Sequence, residues 1–100
     1  MDGTFDKVVW SPQSENDLDE ILEYYLDAKS EKAYQHIVDI VDGAEEIVFS
    51  RQWQVDEYDR SCRRAIIKRK FRVLYKVIDR NVLITRVYPT RKNPKGILRK

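Results

Sequence analysis

The sequence predicts an α+β fold of order β-α-α-β-β-β, a helical hairpin packed on a mainly antiparallel four-stranded sheet. Two amphipathic segments of helical period fill most of the first half, parted by a tight break at Ala28-Lys29-Ser30. Three segments rich in β-branched and aromatic residues fill the second half, joined by connections short enough to make antiparallel neighbours. A short apolar stretch, "KVVW" at Lys7–Trp10, precedes the helices as a further strand.

The first helix is placed at about 12–28. Ser11 is its N-cap and Pro12 suits the first helical position, where a missing N–H costs nothing. Glu15, Asp17, Asp19 and Glu20 favour the positive end of the helix dipole. Leu18, Ile21, Leu22 and Tyr25 fall at i, i+3, i+4 and i+7, one apolar face. Ser30 is the candidate cap of a second helix, whose stripe is Tyr34, Ile37, Val41, Ala44 and Val48, with Ile40 and Ile47 beside it. Gly43 within it costs about 1 kcal/mol relative to alanine and predicts a close helix–helix contact. The connector is too short for anything but an antiparallel hairpin of helices.

The stretch 50–59, "SRQWQVDEYD", breaks the helical period and is expected to be a loop pinned by Trp53 and Tyr58 over the sheet edge. Three strands follow. The first is Arg63–Arg69. The second, Phe71–Ile78, sets Phe71, Val73, Tyr75 and Val77 on one face and Arg72, Leu74 and Lys76 on the other. After a turn at Asp79-Arg80-Asn81, the third, Val82–Tyr88, alternates Val82, Ile84, Arg86 and Tyr88 against Leu83, Thr85 and Val87. The helices must cover one face of this sheet, which leaves the opposite face at least partly open.

With 100 residues, 42% hydrophobic and 36% charged, the chain reads as one globular domain, with 90–100 a basic C-terminal tail. No apolar run approaches the roughly 18 residues that span a bilayer. The N-terminal "MDGTFDKVVW" lacks a basic region followed by an apolar stretch, so no secretory signal is expected. A single cysteine, Cys62, fits a reducing cytoplasm and reads as a packed strand residue. The single histidine, His36, is expected to be exposed on its helix.

The net charge of +2 conceals a division: residues 1–50 sum to −10 and residues 51–100 to +12. Such asymmetry points to an anionic partner for the basic half; attraction between the halves within the fold is the competing account. There is no Gly-rich phosphate loop, no Cys/His metal spacing and no G-x-S-x-G, so neither metal nor cofactor is called for. Asp17, Asp19, Glu20 and Glu23 are expected on a solvated face. What remains is a set of cations with interleaved aromatics: Arg64, Lys68, Arg69, Lys70, Arg72, Lys76, Arg86, Tyr88, Arg91 and Lys92. Three chemistries suit it: nucleic-acid binding, metal-free RNA cleavage by a lysine of lowered pKa with arginine as charge stabiliser, and docking of an acidic protein segment.

From about Lys7 to Gly96 the sequence resembles the RelE/ParE superfamily of bacterial toxins, the toxic halves of type II toxin–antitoxin systems of the plasmid-stabilisation type. "VVWSPQSENDLDEILEYY" matches the family's strand, cap and acidic first helix. The Arg-Arg strand, the aromatic-Arg-Val-x-Tyr strand and the terminal "RVYPTRKNP" follow in order. The resemblance implies a cytoplasmic protein with a helical hairpin on a mainly antiparallel sheet and a cognate antitoxin that wraps and neutralises it. It implies either a ParE-like inhibitor of DNA gyrase or a RelE-like nuclease that cuts mRNA in the ribosome. Carried over to this chain, Arg72 matches the strand arginine of the RelE-like cluster, Lys68 or Lys70 its lysines, and Arg91 or Lys92 the basic residue after the last strand. Those five are the catalytic set if the chain is RelE-like. Arg64, Arg69, Lys76, Arg86 and Tyr88 are the expected contacts to target or antitoxin. The tail "NPKGILRK" holds no tyrosine or histidine, whereas RelE-like cleavage uses one there. That departure and the two well-formed helices lean towards the ParE-like reading. A chain that binds its antitoxin but no longer harms a cell is the third possibility.

Overall fold

The computed structural model describes residues 6–49, 55–56 and 60–90. Trp53, Tyr58 and residues 91–100 of the basic tail lie outside the described residues. The elements are strand β1 (Lys7–Trp10), helix α1 (Pro12–Asp27), helix α2 (Ala33–Glu45) continued by a 3-10 turn (Glu46–Phe49), and strands β2 (Arg63–Ile67), β3 (Phe71–Ile78) and β4 (Asn81–Pro89). They build one sheet of order β1-β4-β3-β2. The three C-terminal strands form an antiparallel meander, and β1 lies parallel to β4. The expected α+β architecture is the one observed.

Helix α1 begins as its sequence dictates. The Ser11 hydroxyl accepts the Ser14 amide at 3.0 Å, and Pro12 opens the first turn. The helix buries Ser14, Asp17 and Ile21, the i, i+3, i+7 face. The α1–α2 connection turns at Lys29, whose φ is 57°. The Ser30 hydroxyl accepts the Lys32 amide at 3.2 Å, so Ser30 stabilises the turn, and Lys32 is the residue that precedes the helix.

The buried face of α2 is offset from the expected stripe. It is formed by Ala33, His36, Ile40 and Ala44, with Ile47 and Val48 following, whereas Tyr34 is 66% exposed. Small side chains decide this: Ala33 and Ala44 let the helix settle close, and Gly43 lets it settle closer. A Cβ on Gly43 would lie 2.8 Å from Ile67 Cδ1. The close approach is therefore helix against strand β2, not helix against helix. His36 is buried, correcting the expectation of exposure. Its ring lies 4.2 Å from that of Tyr25 and 5.8 Å from that of Phe71, centroid to centroid.

The main core fills the space between helices and sheet and includes Ile21, Ile40, Ile47, Phe71, Val73 and Tyr75. Burying one side chain the size of Ile40 contributes about 1.5–3 kcal/mol. In β4 the inward residues are Val82, Ile84 and Val87. Strict alternation, which grouped Arg86 and Tyr88 with Ile84, fails at a bulge: Leu74 pairs with Arg86 but Tyr75 with Ile84, so Thr85 is the extra residue. The Thr85 hydroxyl donates to the Leu74 carbonyl across the bulge at 3.2 Å. Beyond it the face of every residue flips, and Arg86 and Tyr88 join Arg72 and Leu74 on the side away from the core.

Candidate functional site

The sheet face turned away from the helices was expected to present cations to solvent. It presents a second, small apolar cluster of Cys62, Leu74 and Tyr88. Cys62 is buried as expected, but just ahead of β2 rather than within a strand. Val55 and Asp56 lie beside the start of β2: the Asp56 amide donates to the Cys62 carbonyl at 2.9 Å, and Val55 forms an isolated antiparallel bridge with Arg63.

Two arginines of this face are held by carboxylates of the chain itself. Arg72 Nη1 donates to Asp56 Oδ1 at 2.7 Å, with the Asp56 side chain fully buried and that of Arg72 13% exposed. Arg86 Nε donates to Asp17 Oδ2 at 2.9 Å and its Nη2 to Oδ1 at 3.3 Å. Asp17 Oδ2 also accepts the Val87 amide at 2.8 Å. That amide needs a partner because β1 stops short. The last β1–β4 pair is Trp10 with Ile84, and the Ser11 amide bonds to the Ile84 carbonyl as the chain leaves for α1. One turn into the helix, Asp17 reaches back to the same edge of β4.

These contacts correct two expectations. Asp17 is not one of the solvated carboxylates, although Asp19, Glu20 and Glu23 are exposed. The charge of the basic half is also partly matched within the fold, with Asp17 of the acidic half taking Arg86 and the nearby Asp56 taking Arg72. Both aspartates sit in acid-rich stretches of the sequence, which alone gave no signal of their burial.

Lys68 and Arg69, expected at the end of a strand, instead form the β2–β3 turn. Both adopt the left-handed conformation, with φ of 54° and 58°, and the Lys70 amide donates to the Ile67 carbonyl at 3.0 Å. This is the signature of a type I′ turn, which favours Asn-Gly. Two long cationic side chains hold it here, at about 1–2 kcal/mol per residue. Thr90 fastens the turn from the end of β4, its amide donating to the Lys70 carbonyl at 2.8 Å and its hydroxyl to the carbonyls of Arg69 and Lys70 at 3.3 Å. Lys68, Arg69 and Lys70 are all exposed. Lys76 is exposed further along β3, Arg64 is half-buried on β2, and Tyr88 is buried. Arg91 and Lys92 lie outside the described residues. The structure thus brings Lys68, Arg69 and Lys70 together at one hairpin tip and separates them from the carboxylate-bound Arg72 and Arg86.

Lys70 also acts on the core beneath it. The pKa of His36 is lowered, first by burial and then by the charge of Lys70, with Lys32 adding and Asp39 opposing. The Tyr75 hydroxyl is pushed up by burial, with Arg63 opposing. Among the described residues, no group of three or more His, Cys, Asp or Glu side chains is placed to hold a metal ion, and no helix is long and apolar enough to cross a membrane.

No curated protein gives a significant sequence match. Among solved structures, the fold is similar to a chain of the chromosomal ParDE toxin–antitoxin system from P. aeruginosa, with a TM-score of 0.69 at 21% identity over 83% of this chain and 94% of that one. The family model described as the ParE toxin of the type II toxin–antitoxin system parDE matches residues 8–94. That match takes in β1, both helices, the Asp17–Arg86 and Asp56–Arg72 pairs and the cationic hairpin, and the chain belongs to the ParE family of type II toxin–antitoxin toxins.

Proposed function

We propose that this chain arrests bacterial growth by inhibiting DNA gyrase in the cytoplasm, and that a cognate antitoxin holds it silent. The observation that carries the choice of gyrase over RNA is the state of the sheet arginines. A ribosome-dependent nuclease of the RelE kind needs cations on that face to meet the scissile phosphate. Here Arg72 and Arg86 are committed to Asp56 and Asp17, with side chains 13% and 18% exposed. A guanidinium held by a carboxylate brings little net charge to a phosphate.

In this reading the Lys68-Arg69-Lys70 tip and Lys76 make the target contact. The left-handed backbone at Lys68 and Arg69 supports their role, because strain kept at an exposed turn is a feature of functional segments. The competing reading, mRNA cleavage on the ribosome, draws on the same tip: Lys68 or Lys70 as base, with Arg72, Arg91 and Lys92 around the phosphate. A chain that binds antitoxin without toxicity is the remaining alternative.

Controlled expression with and without the neighbouring gene tests the toxin role. Growth arrest relieved by the neighbour is expected, and normal growth in both cases from verified folded protein would refute it. Gyrase-trapped DNA with DNA-damage signalling is the expected readout of target. Codon-linked mRNA cuts in a translating extract, without trapped gyrase, would transfer the conclusion to the nuclease.

A further inference from the structure

Lys76 does not stand alone on its face of the sheet. Val77 and Val82 pair with each other, and both pack on the main core. Their neighbours Lys76, Ile78, Asn81 and Leu83 therefore turn away from the helices. In β1, Val8 and Trp10 pack on the core, which turns Lys7 and Val9 outward too. The strand pairing sets these residues in adjacent rows. Val9, Leu83 and Lys76 cross β1, β4 and β3 in one row, and Lys7, Asn81 and Ile78 in the next.

The result is an apolar diagonal, Val9–Leu83–Ile78, with a lysine at each remaining corner. Val9 is 39% exposed and Ile78 50% exposed, and Leu83 between them is half-buried. A single exposed apolar side chain calls for no partner, but adjacent ones ringed by charge mark an interaction surface. Among the described residues neither Lys7 nor Lys76 pairs with a carboxylate, and Asp6 is engaged by Arg80 at 3.5 Å. The patch is also separate from the cationic hairpin tip. Lys76 lies about 20 Å along β3 from Lys70, with the carboxylate-bound Arg72 and the buried Leu74 between them.

We propose that this patch docks an amphipathic, carboxylate-bearing segment of the target protein, so that the target is gripped here by its protein surface and not through DNA. The proposal rests on the gyrase reading above and gives the contact at Lys76 a chemistry. Apolar side chains of the partner cover Val9, Leu83 and Ile78, while its carboxylates meet Lys7 and Lys76. An apolar centre with a charged rim is the anatomy of a protein–protein contact. A duplex would offer phosphates to the lysines and leave the apolar diagonal uncovered, since DNA interfaces are far more polar and cationic.

The test uses the full chain with three probes: a helical peptide of leucine and glutamate, its counterpart with lysine in place of glutamate, and a short DNA duplex. In amide NMR titrations the glutamate peptide is expected to shift Val9, Lys76, Ile78 and Leu83. Ile78→Asp and Lys76→Glu are each expected to weaken its binding about tenfold, and Tyr34→Ser, at an exposed position on α2, to leave it unchanged. Equal binding of the lysine peptide, equal shifts at these residues from the duplex, or unaffected patch variants would overturn the proposal. So would equal weakening by Tyr34→Ser. Should Ile78→Asp misfold, Val9→Ser/Ile78→Ser answers the same question. With purified gyrase, the wild-type chain is expected to bind without DNA present, and Ile78→Asp to need about tenfold more protein for the same block of supercoiling. Binding that requires DNA, or an unimpaired Ile78→Asp, would also overturn the proposal. A wild-type chain that never touches gyrase refutes the gyrase reading instead, and the peptide titration still decides the patch.

Discussion

Asp17 and Arg86 meet in a two-point contact, Nε to Oδ2 at 2.9 Å and Nη2 to Oδ1 at 3.3 Å, and the same Oδ2 accepts the Val87 amide. A helix side chain thus completes the edge of β4 where β1 ends. Removing it strands both a partly buried guanidinium and a buried amide. Asp17→Ala is expected to lower unfolding free energy by about 3 kcal/mol. Asp17→Asn, which keeps an acceptor for the amide, is expected to recover part of that. Urea unfolding followed by circular dichroism measures both; a loss for Asp17→Ala below about 1 kcal/mol would show the contact to be marginal.

The Asp56–Arg72 pair separates stability from toxicity. Arg72→Ala is expected to cost about 3 kcal/mol, because the fully buried Asp56 loses its 2.7 Å guanidinium contact, and the Arg72→Ala/Asp56→Ala double variant less than the sum of the two singles. Lys76→Ala, at an exposed position, is expected to change stability by no more than about 0.5 kcal/mol while reducing growth arrest. Comparing growth arrest at matched levels of folded protein distinguishes the two classes. Full toxicity of Lys76→Ala would remove that residue from the target surface.

Gly43 and Ile67 are coupled by contact. Alanine at Gly43 gains about 1 kcal/mol of helix propensity but places its Cβ 2.8 Å from the Ile67 side chain, and such overpacking costs about 1–3 kcal/mol. Gly43→Ala is expected to be net destabilising by about 1 kcal/mol in the wild-type chain. In an Ile67→Ala background it is expected to be neutral or stabilising. A double-mutant cycle with no coupling would contradict the close approach.

The β2–β3 turn offers the reverse trade. Lys68→Asn with Arg69→Gly supplies the residues a type I′ turn favours, and thermal unfolding is expected to show a gain of about 1 kcal/mol. Growth arrest is expected to weaken as the cations leave. A variant that is both more stable and fully toxic would show that the hairpin does not touch the target.

His36 makes stability depend on pH. Burial and Lys70 lower its pKa in the folded chain from the ordinary 6.5, so the unfolded chain binds the proton more readily. The stabilising contribution is present above about pH 6.5 and is lost as pH falls through the folded value. The denaturation midpoint is expected to drop as pH falls below about 6.5, and His36→Phe, which keeps an aromatic ring against Tyr25 and Phe71, to flatten that limb. An unchanged slope would place the titration elsewhere.

The sequence by itself determined the element order, the Ser11-Pro12 start of α1, the short antiparallel connections and the family, because these depend on local periodicity, capping and turn length. It also exposed the cationic stretch 63–77. It did not reveal which charges would be free. Asp17 and Asp19 look alike two residues apart, yet one is buried against Arg86 and the other is exposed, since only the packing of α1 on β4 sets their surroundings. The bulge at Thr85 has no local signature, and it alone moves Arg86 and Tyr88 to the other face. His36 was turned inward by Ala33, Ala44 and Gly43, whose small size matters only once β2 lies beside them. Tertiary structure decided which cations remain for a partner, because a charge is spent or available according to its neighbours in space, and the carboxylate that takes Arg86 lies 69 residues away in the chain.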